Sequence, residues 1–105
     1  MISLSRQMRF SLIQESRYAV TILPSERFDF SCANDFREAS ASFSAETELV
    51  VDFSETRYID SAALGMLLLL GEKAGGTRRV KLRNASGQPK EALEQANFQR
   101  LFQMD

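Results

Sequence analysis

The strongest constraint lies in the middle of the chain, from Glu48 to Gly76. Glu48 to Phe53 is a short apolar run rich in valine, the signature of a strand buried in a sheet. A polar loop follows, and then Asp60-Ser61 opens an apolar segment that continues to Ala74 and stops at Gly75-Gly76. Asp is a favoured N-cap and Gly a favoured C-terminal stop, so 60–74 is read as a helix. A buried strand that feeds a helix through a polar loop belongs in an α/β layer structure.

The flanking segments agree. Met8 to Gln14 and Arg17 to Leu23 alternate in strand fashion, with Glu15-Ser16 as the turn and a short extended tail at Arg27 to Phe30. Ser31 to Phe43 shifts to a helical period, with Ser31 as its expected cap. Arg79 to Asn84 reads as a strand with one wet side, carrying Lys81 and Arg83. Ser86 is expected to cap a last helix, with Pro89 in its first turn and Asn97 in the left-handed position after its end. Phe98 to Met104 is a final short strand or a helical tail. The expectation is a single domain over 1–105, with a mixed sheet of four to five strands and helices packed against it.

Absent residue types narrow the function. The 105 residues include no His, which removes Ser-His-Asp and Cys-His catalysis and His-ligated metal sites. Cys32 is the sole cysteine and is read as a buried helix residue; a lone thiol suits a reducing, cytoplasmic setting. A formal net charge of −1 gives no electrostatic ground for binding nucleic acid. The longest uncharged apolar stretch, Ala62 to Leu70, is far short of the roughly 20 residues of a membrane span. No apolar leader segment is read at the start, and neither membrane insertion nor a cofactor is expected. Gly71 to Arg78 faintly echoes a phosphate loop but follows a helix and lacks the Gly-Lys-Ser/Thr ending. Ile59 to Ala62 lacks the glycines of a nucleophile elbow. Asp52, Glu55 and Asp60 are more simply loop carboxylates than metal ligands.

The helix from Asp60 carries an anomaly. Ala63, Leu64, Leu67, Leu70 and Ala74 form one apolar arc suited to a core. The opposite arc should be polar, yet it holds Ser61, Gly65, Leu68, Leu69 and Glu72. Leucines beside an outward hydroxyl suggest a protein-docking surface, unless another element, such as the C-terminal tail, covers them.

Here the sequence resembles a known family. The STAS domains, and within them the bacterial anti-sigma-factor antagonists, have a strand ending in Asp, a loop, and Asp-Ser-(Ser/Thr)-Gly-Leu-Gly opening a helix. This chain reads Asp60-Ser61-Ala62-Ala63-Leu64-Gly65. The resemblance covers most of the chain, and it departs at Ala62-Ala63 and at Glu26, where the family usually has Gly. It implies that Ser61 is a phosphoacceptor, and that the unphosphorylated form binds an anti-sigma factor through Asp29, Tyr58, Asp60, Ser61, Ala62, Gly65, Leu68 and Leu69. A serine kinase, often the anti-sigma factor itself, and a PP2C-type phosphatase are the implied partners, with a monomer as the simplest free state. The rival expectation is a STAS subunit of an ABC-type lipid transport complex, docked permanently with no phosphate cycle.

Overall fold

A computed structural model describes residues 3–6, 10–16 and 18–105. The main sheet contains β1 (Ser3–Arg6), β2 (Phe10–Ser16), β3 (Ala19–Pro24), β5 (Glu48–Asp52), β7 (Val80–Arg83) and β8 (Gln103–Met104), in the order β1-β2-β3-β5-β7-β8. β1, β2 and β3 pair antiparallel, whereas β3, β5, β7 and β8 run parallel. The expected mixed sheet is present, and β1 adds an edge strand to those read from the sequence. Its Ser-Leu-Ser-Arg run has too little apolar alternation to announce a strand. Residues Met8, Arg9 and Arg17 of the expected hairpin lie outside the described residues. Glu15-Ser16 does not form the turn: β2 continues through Ser16 with a register shift between Gln14 and Ser16.

Three helices join the parallel strands: α1 (Ala33–Ser40), α2 (Ser61–Lys73) and α3 (Gly87–Gln95). Each crossover steps to the next parallel strand in the same direction. Right-handed crossovers of that kind place all the helices on one face of the sheet. Burial shows which face: Val20, Ile22, Leu49, Val51, Val80 and Leu82 are buried in the core, while their alternates Thr21, Val50 and Lys81 are partly open. Lys81 and Arg83 form the expected wet side, both within ion-pair reach of Asp105, at 3.8 and 3.6 Å. The tail after α3 resolves into a short 3-10 turn, Phe98–Arg100, and then β8. It therefore lies at the β7 edge of the sheet, and Leu68 and Leu69 remain exposed. No helix among the described residues is long and apolar enough to cross a membrane.

Two short strands stand apart from the main sheet. β4 (Arg27–Phe28) and β6 (Tyr58–Ile59) pair parallel, with Arg27 opposite Tyr58 and Phe28 opposite Ile59. Phe28 and Ile59 are both buried, which anchors the pair to the core. The pairing brings the segment before α1 alongside the segment before α2, although they are about 30 residues apart in sequence.

The end of α2 follows from its glycines. Gly75 N–H donates to the Glu72 carbonyl at 3.2 Å and Gly76 N–H to that of Gly71 at 2.8 Å. That pair of bonds is a Schellman motif, and it requires a left-handed residue at Gly75, whose φ is 89°. Gly71 and Gly65 occupy opposite environments on the same helix. A Cβ at Gly71 would lie 2.6 Å from Thr77 Cγ2 and 3.1 Å from Thr77 Cα, whereas one at Gly65 meets nothing within 4 Å. Gly71→Ala should therefore destabilise the fold by about 1–3 kcal/mol. Gly65→Ala should stabilise it by about 0.4–1 kcal/mol. Denaturant unfolding of the two variants checks the pair; a larger loss in Gly65→Ala than in Gly71→Ala would contradict the packing described.

Candidate functional site

The site is built on the start of α2. Asp60 is the N-cap, with extended backbone, and its Oδ1 accepts the Ala63 N–H at 2.9 Å. Its other oxygen, Oδ2, accepts the N–H of Phe30 at 3.1 Å. Phe30 begins a 3-10 turn, Phe30–Cys32, that leads directly into α1. One carboxylate thus satisfies the first turns of two adjacent helical segments. Capping with Asp60 leaves Ser61 exposed in the first turn, with no hydrogen bond to its hydroxyl among the described residues.

The segment before α1 is capped by Asp29, two residues earlier than the expected Ser31. Asp29 Oδ1 accepts the Ser31 N–H at 3.0 Å and the Ser31 hydroxyl at 2.6 Å. Ser31 is therefore the residue being capped: the chain begins as a 3-10 turn at Phe30, which makes Asp29 the N-cap and puts Ser31 inside the turn. The hydroxyl of Ser31 holds the Asp29 carboxyl below the usual aspartate range. Partial burial opposes this, and the Ser31 amide and the Arg27 guanidinium reinforce it. Asp52, at the end of β5, is also lowered. Burial is the largest single influence and pushes it up, but the Ser54 amide, the Asn84 side chain, the Ser54 hydroxyl and Arg83 together outweigh it. The third expected cap, Ser86, occupies the N-cap position of α3 without a side-chain capping bond. Asn97 adopts the expected left-handed conformation, with φ of 61°.

Both acidic site residues are thus engaged internally. Asp29 is only 8 % exposed, and its carboxylate is taken up by Ser31 and Arg27, so it shapes the surface more than it offers one. The outward face is apolar. Leu69 is 60 % exposed, Leu68 40 % and Tyr58 36 %, while the opposite arc of α2 buries Ala63, Met66, Leu67 and Leu70. The division of α2 into two arcs is the one expected from its spacing, except that Leu64 is half-buried and Met66 joins the core. Gly65 opens a groove of about 950 Å³ between α1 and α2, lined in part by Ala33, Phe36, Arg37, Ala62, Met66 and Leu69.

Three contributors were not legible in the sequence. Phe30 is 72 % exposed beside the Asp60 cap, the most open large apolar residue described. Strand alternation with buried Phe28 would have placed it in the core, but the chain turns into the 3-10 segment at Phe30. Arg27 lies over the Tyr58 ring, 4.5 Å from its centroid, because β4 and β6 pair. Gln88 reaches from α3 to the main chain of Ile59. Among the described residues, no group of three or more His, Cys, Asp or Glu is arranged to hold a metal ion, and Asp52 and Asp60 each have hydrogen-bonding partners of their own. Cys32 is buried in the 3-10 turn.

The chain and its fold have counterparts among known proteins. The family model described as "Mlab, STAS domain" matches residues 11–103. A STAS-domain containing protein of Pseudomonas aeruginosa (strain UCBPP-PA14) is 38 % identical over 99 residues, covering 82 % of this chain and 98 % of that protein. Two solved structures share the fold, each with a TM-score of 0.76. One is a Thermotoga maritima protein assigned as an anti-sigma factor antagonist, 17 % identical, covering 90 % of this chain and 84 % of that one. The other is the anti-sigma factor antagonist SpoIIAA in its unphosphorylated form, 15 % identical, covering 91 % and 87 %.

The Asp29 carboxyl supplies a direct check on this arrangement. Its carboxyl carbon, followed by NMR, should titrate below the aspartate value of about 3.9. Ser31→Ala should move the midpoint upward. The sign for stability follows: a lowered folded-state pKa stabilises above the unfolded value and loses that contribution as pH falls through the folded one. An unshifted midpoint in Ser31→Ala would show that the hydroxyl does not hold the carboxylate.

Proposed function

We propose, from the premise that this chain belongs to the STAS domain family, that it is a partner-switching module whose docking face is gated by phosphorylation of Ser61. The observation that carries this reading is the joint placement of an exposed Ser61 at a capped helix start and of Leu68 and Leu69 on the same exposed arc. In its unphosphorylated form the module binds an anti-sigma factor; this reading is supported by its structural neighbours, which are named as anti-sigma factor antagonists. A serine kinase adds the phosphate, and a PP2C-type phosphatase removes it.

The physics of such a gate is local. A phosphate brings about −1.5 to −2 charges. At a helix N-terminus an anion is favoured by roughly 0.3–1 kcal/mol, so the fold tolerates it. Ser61 and Ala62 occupy the first positions of α2, where main-chain N–H groups have no intrahelical partner. The same charge beside Leu68 and Leu69 opposes their burial, because an apolar interface gives a phosphate nothing to replace its water. The domain keeps its shape and loses its partner. Asp29, Asp60, Ala62 and Gly65 serve this face by shaping it, and Tyr58, Leu68 and Leu69 by contacting the partner.

Phosphate incorporation tests the switch. The full chain incubated with its own cell extract and ATP should gain one phosphate by intact mass, mapped to Ser61, and Ser61→Ala should gain none there. Ser61→Asp should keep the circular dichroism spectrum and unfolding midpoint while binding the partner more weakly. A wild-type chain that captures its partner yet never takes phosphate would instead indicate permanent docking in a larger complex.

The docking face has its own test. Truncating an interface anchor costs on the order of 1–4 kcal/mol of binding. Exposed leucines contribute little to folding, so Leu68→Ala and Leu69→Ala should each weaken binding and shift Tm by no more than about 4 °C. A large fall in Tm with binding intact would place these residues in the core.

A further inference from the structure

One contact ties the start of α2 to a remote part of the chain. Gln88, in the first turn of α3, presents its side-chain amide to the main chain of Ile59. Its Oε1 accepts the Ile59 N–H at 2.9 Å, and its Nε2 donates to the Ile59 carbonyl at 2.9 Å. Successive residues of a strand turn their peptide groups to opposite edges. Tyr58 gives its N–H to the Glu26 carbonyl on the β4 side at 3.1 Å, so the Ile59 groups face the other edge. There the amide of Gln88 supplies the donor and the acceptor that a third strand would supply. A two-residue pair such as β4–β6 is too short to hold its own register, and Ile59 immediately precedes the Asp60 cap.

We infer that Gln88 is a positioning residue for Ser61. By clasping Ile59 it fixes the main chain at Asp60, and Asp60 in turn fixes Ala63 and Phe30. The frame of the phosphoacceptor is therefore set jointly by the α1 start, through Phe30, and by α3, through Gln88. The part of this inference that concerns Ser61 rests on the reading of Ser61 as a phosphoacceptor. The residue type matters: an amide carries a donor and an acceptor in one plane. Glu keeps the acceptor alone, and Met keeps a similar length with neither group.

Gln88 is an exposed residue, so its loss admits water to the Ile59 edge and leaves the core packing in place. Amide hydrogen exchange by NMR on the full-length wild type, Gln88→Met and Gln88→Glu separates a local effect from a general one. Losing a hydrogen bond of this kind shifts a local opening equilibrium by up to about tenfold. In Gln88→Met, the Ile59 and Ala63 amides should exchange about tenfold faster, with Val51 and Leu82 unchanged. Gln88→Glu should recover part of the Ile59 protection through its remaining acceptor. In parallel, the rate of phosphate incorporation at Ser61 from ATP in cell extract should fall about fivefold or more in Gln88→Met. Unchanged exchange at Ile59 and Ala63, or equal acceleration at Val51 and Leu82, overturns the inference. Local acceleration with an unchanged phosphorylation rate also overturns it. If the wild type takes no phosphate at all, the switch reading falls, and the exchange data alone decide whether Gln88 positions the α2 start.

Discussion

The arrangement of the candidate site depends on one carboxylate. Asp60 caps α2 through Ala63 and, with its second oxygen, holds the N–H of Phe30 at the entry to α1. Helix starts leave several N–H groups without partners, and placing two of them side by side doubles that need. A single acidic side chain between them satisfies both at once, and its negative charge suits two positive helix ends. The β4–β6 pair sets the distance at which this can happen, with buried Phe28 and Ile59 as its anchors. Remove the cap and the two segments lose their common reference.

The chemistry left at the surface follows from what is used inside. Asp29 and Asp60 are both engaged by main-chain N–H groups. What faces outward is a hydroxyl, an aromatic ring under a guanidinium, and the apolar side chains of Phe30, Leu68 and Leu69. Among the described residues, these groups make a surface that is largely apolar. Covering an exposed leucine or phenylalanine is worth roughly 1.5–3 kcal/mol.

The rest of α2 supports that surface by its packing. Its inner arc is locked into the sheet by Ala63, Met66, Leu67 and Leu70, and its end is fixed where Gly71 lies against Thr77 and Gly75 turns left-handed. Gly65 does the reverse, since the space above it is empty and forms the floor of the groove toward α1. The same residue type thus closes one contact and opens another within two turns.

The sequence by itself determined the elements whose signal is local. The valine-rich run of β5, the Asp60 cap, the two arcs of α2, the Gly75-Gly76 stop and the left-handed Asn97 each rest on periodicity or on the backbone preferences of single residues, and each stands in the structure. The α/β class and the placement of Asp60-Ser61 at a helix start were legible for the same reason. What only the tertiary structure decided rests on pairing between distant segments. β1 became a strand because β2 offered it an edge. The capping role passed from Ser31 to Asp29 because the helix begins as a 3-10 turn. Phe30 faces outward, Arg27 covers Tyr58 and Gln88 clasps Ile59 because β4 meets β6 and α3 packs beside them. A hydrogen bond across some 30 residues leaves no periodic trace along the chain, so a glutamine in a helix's first turn looks the same in sequence whether it meets water or a strand edge.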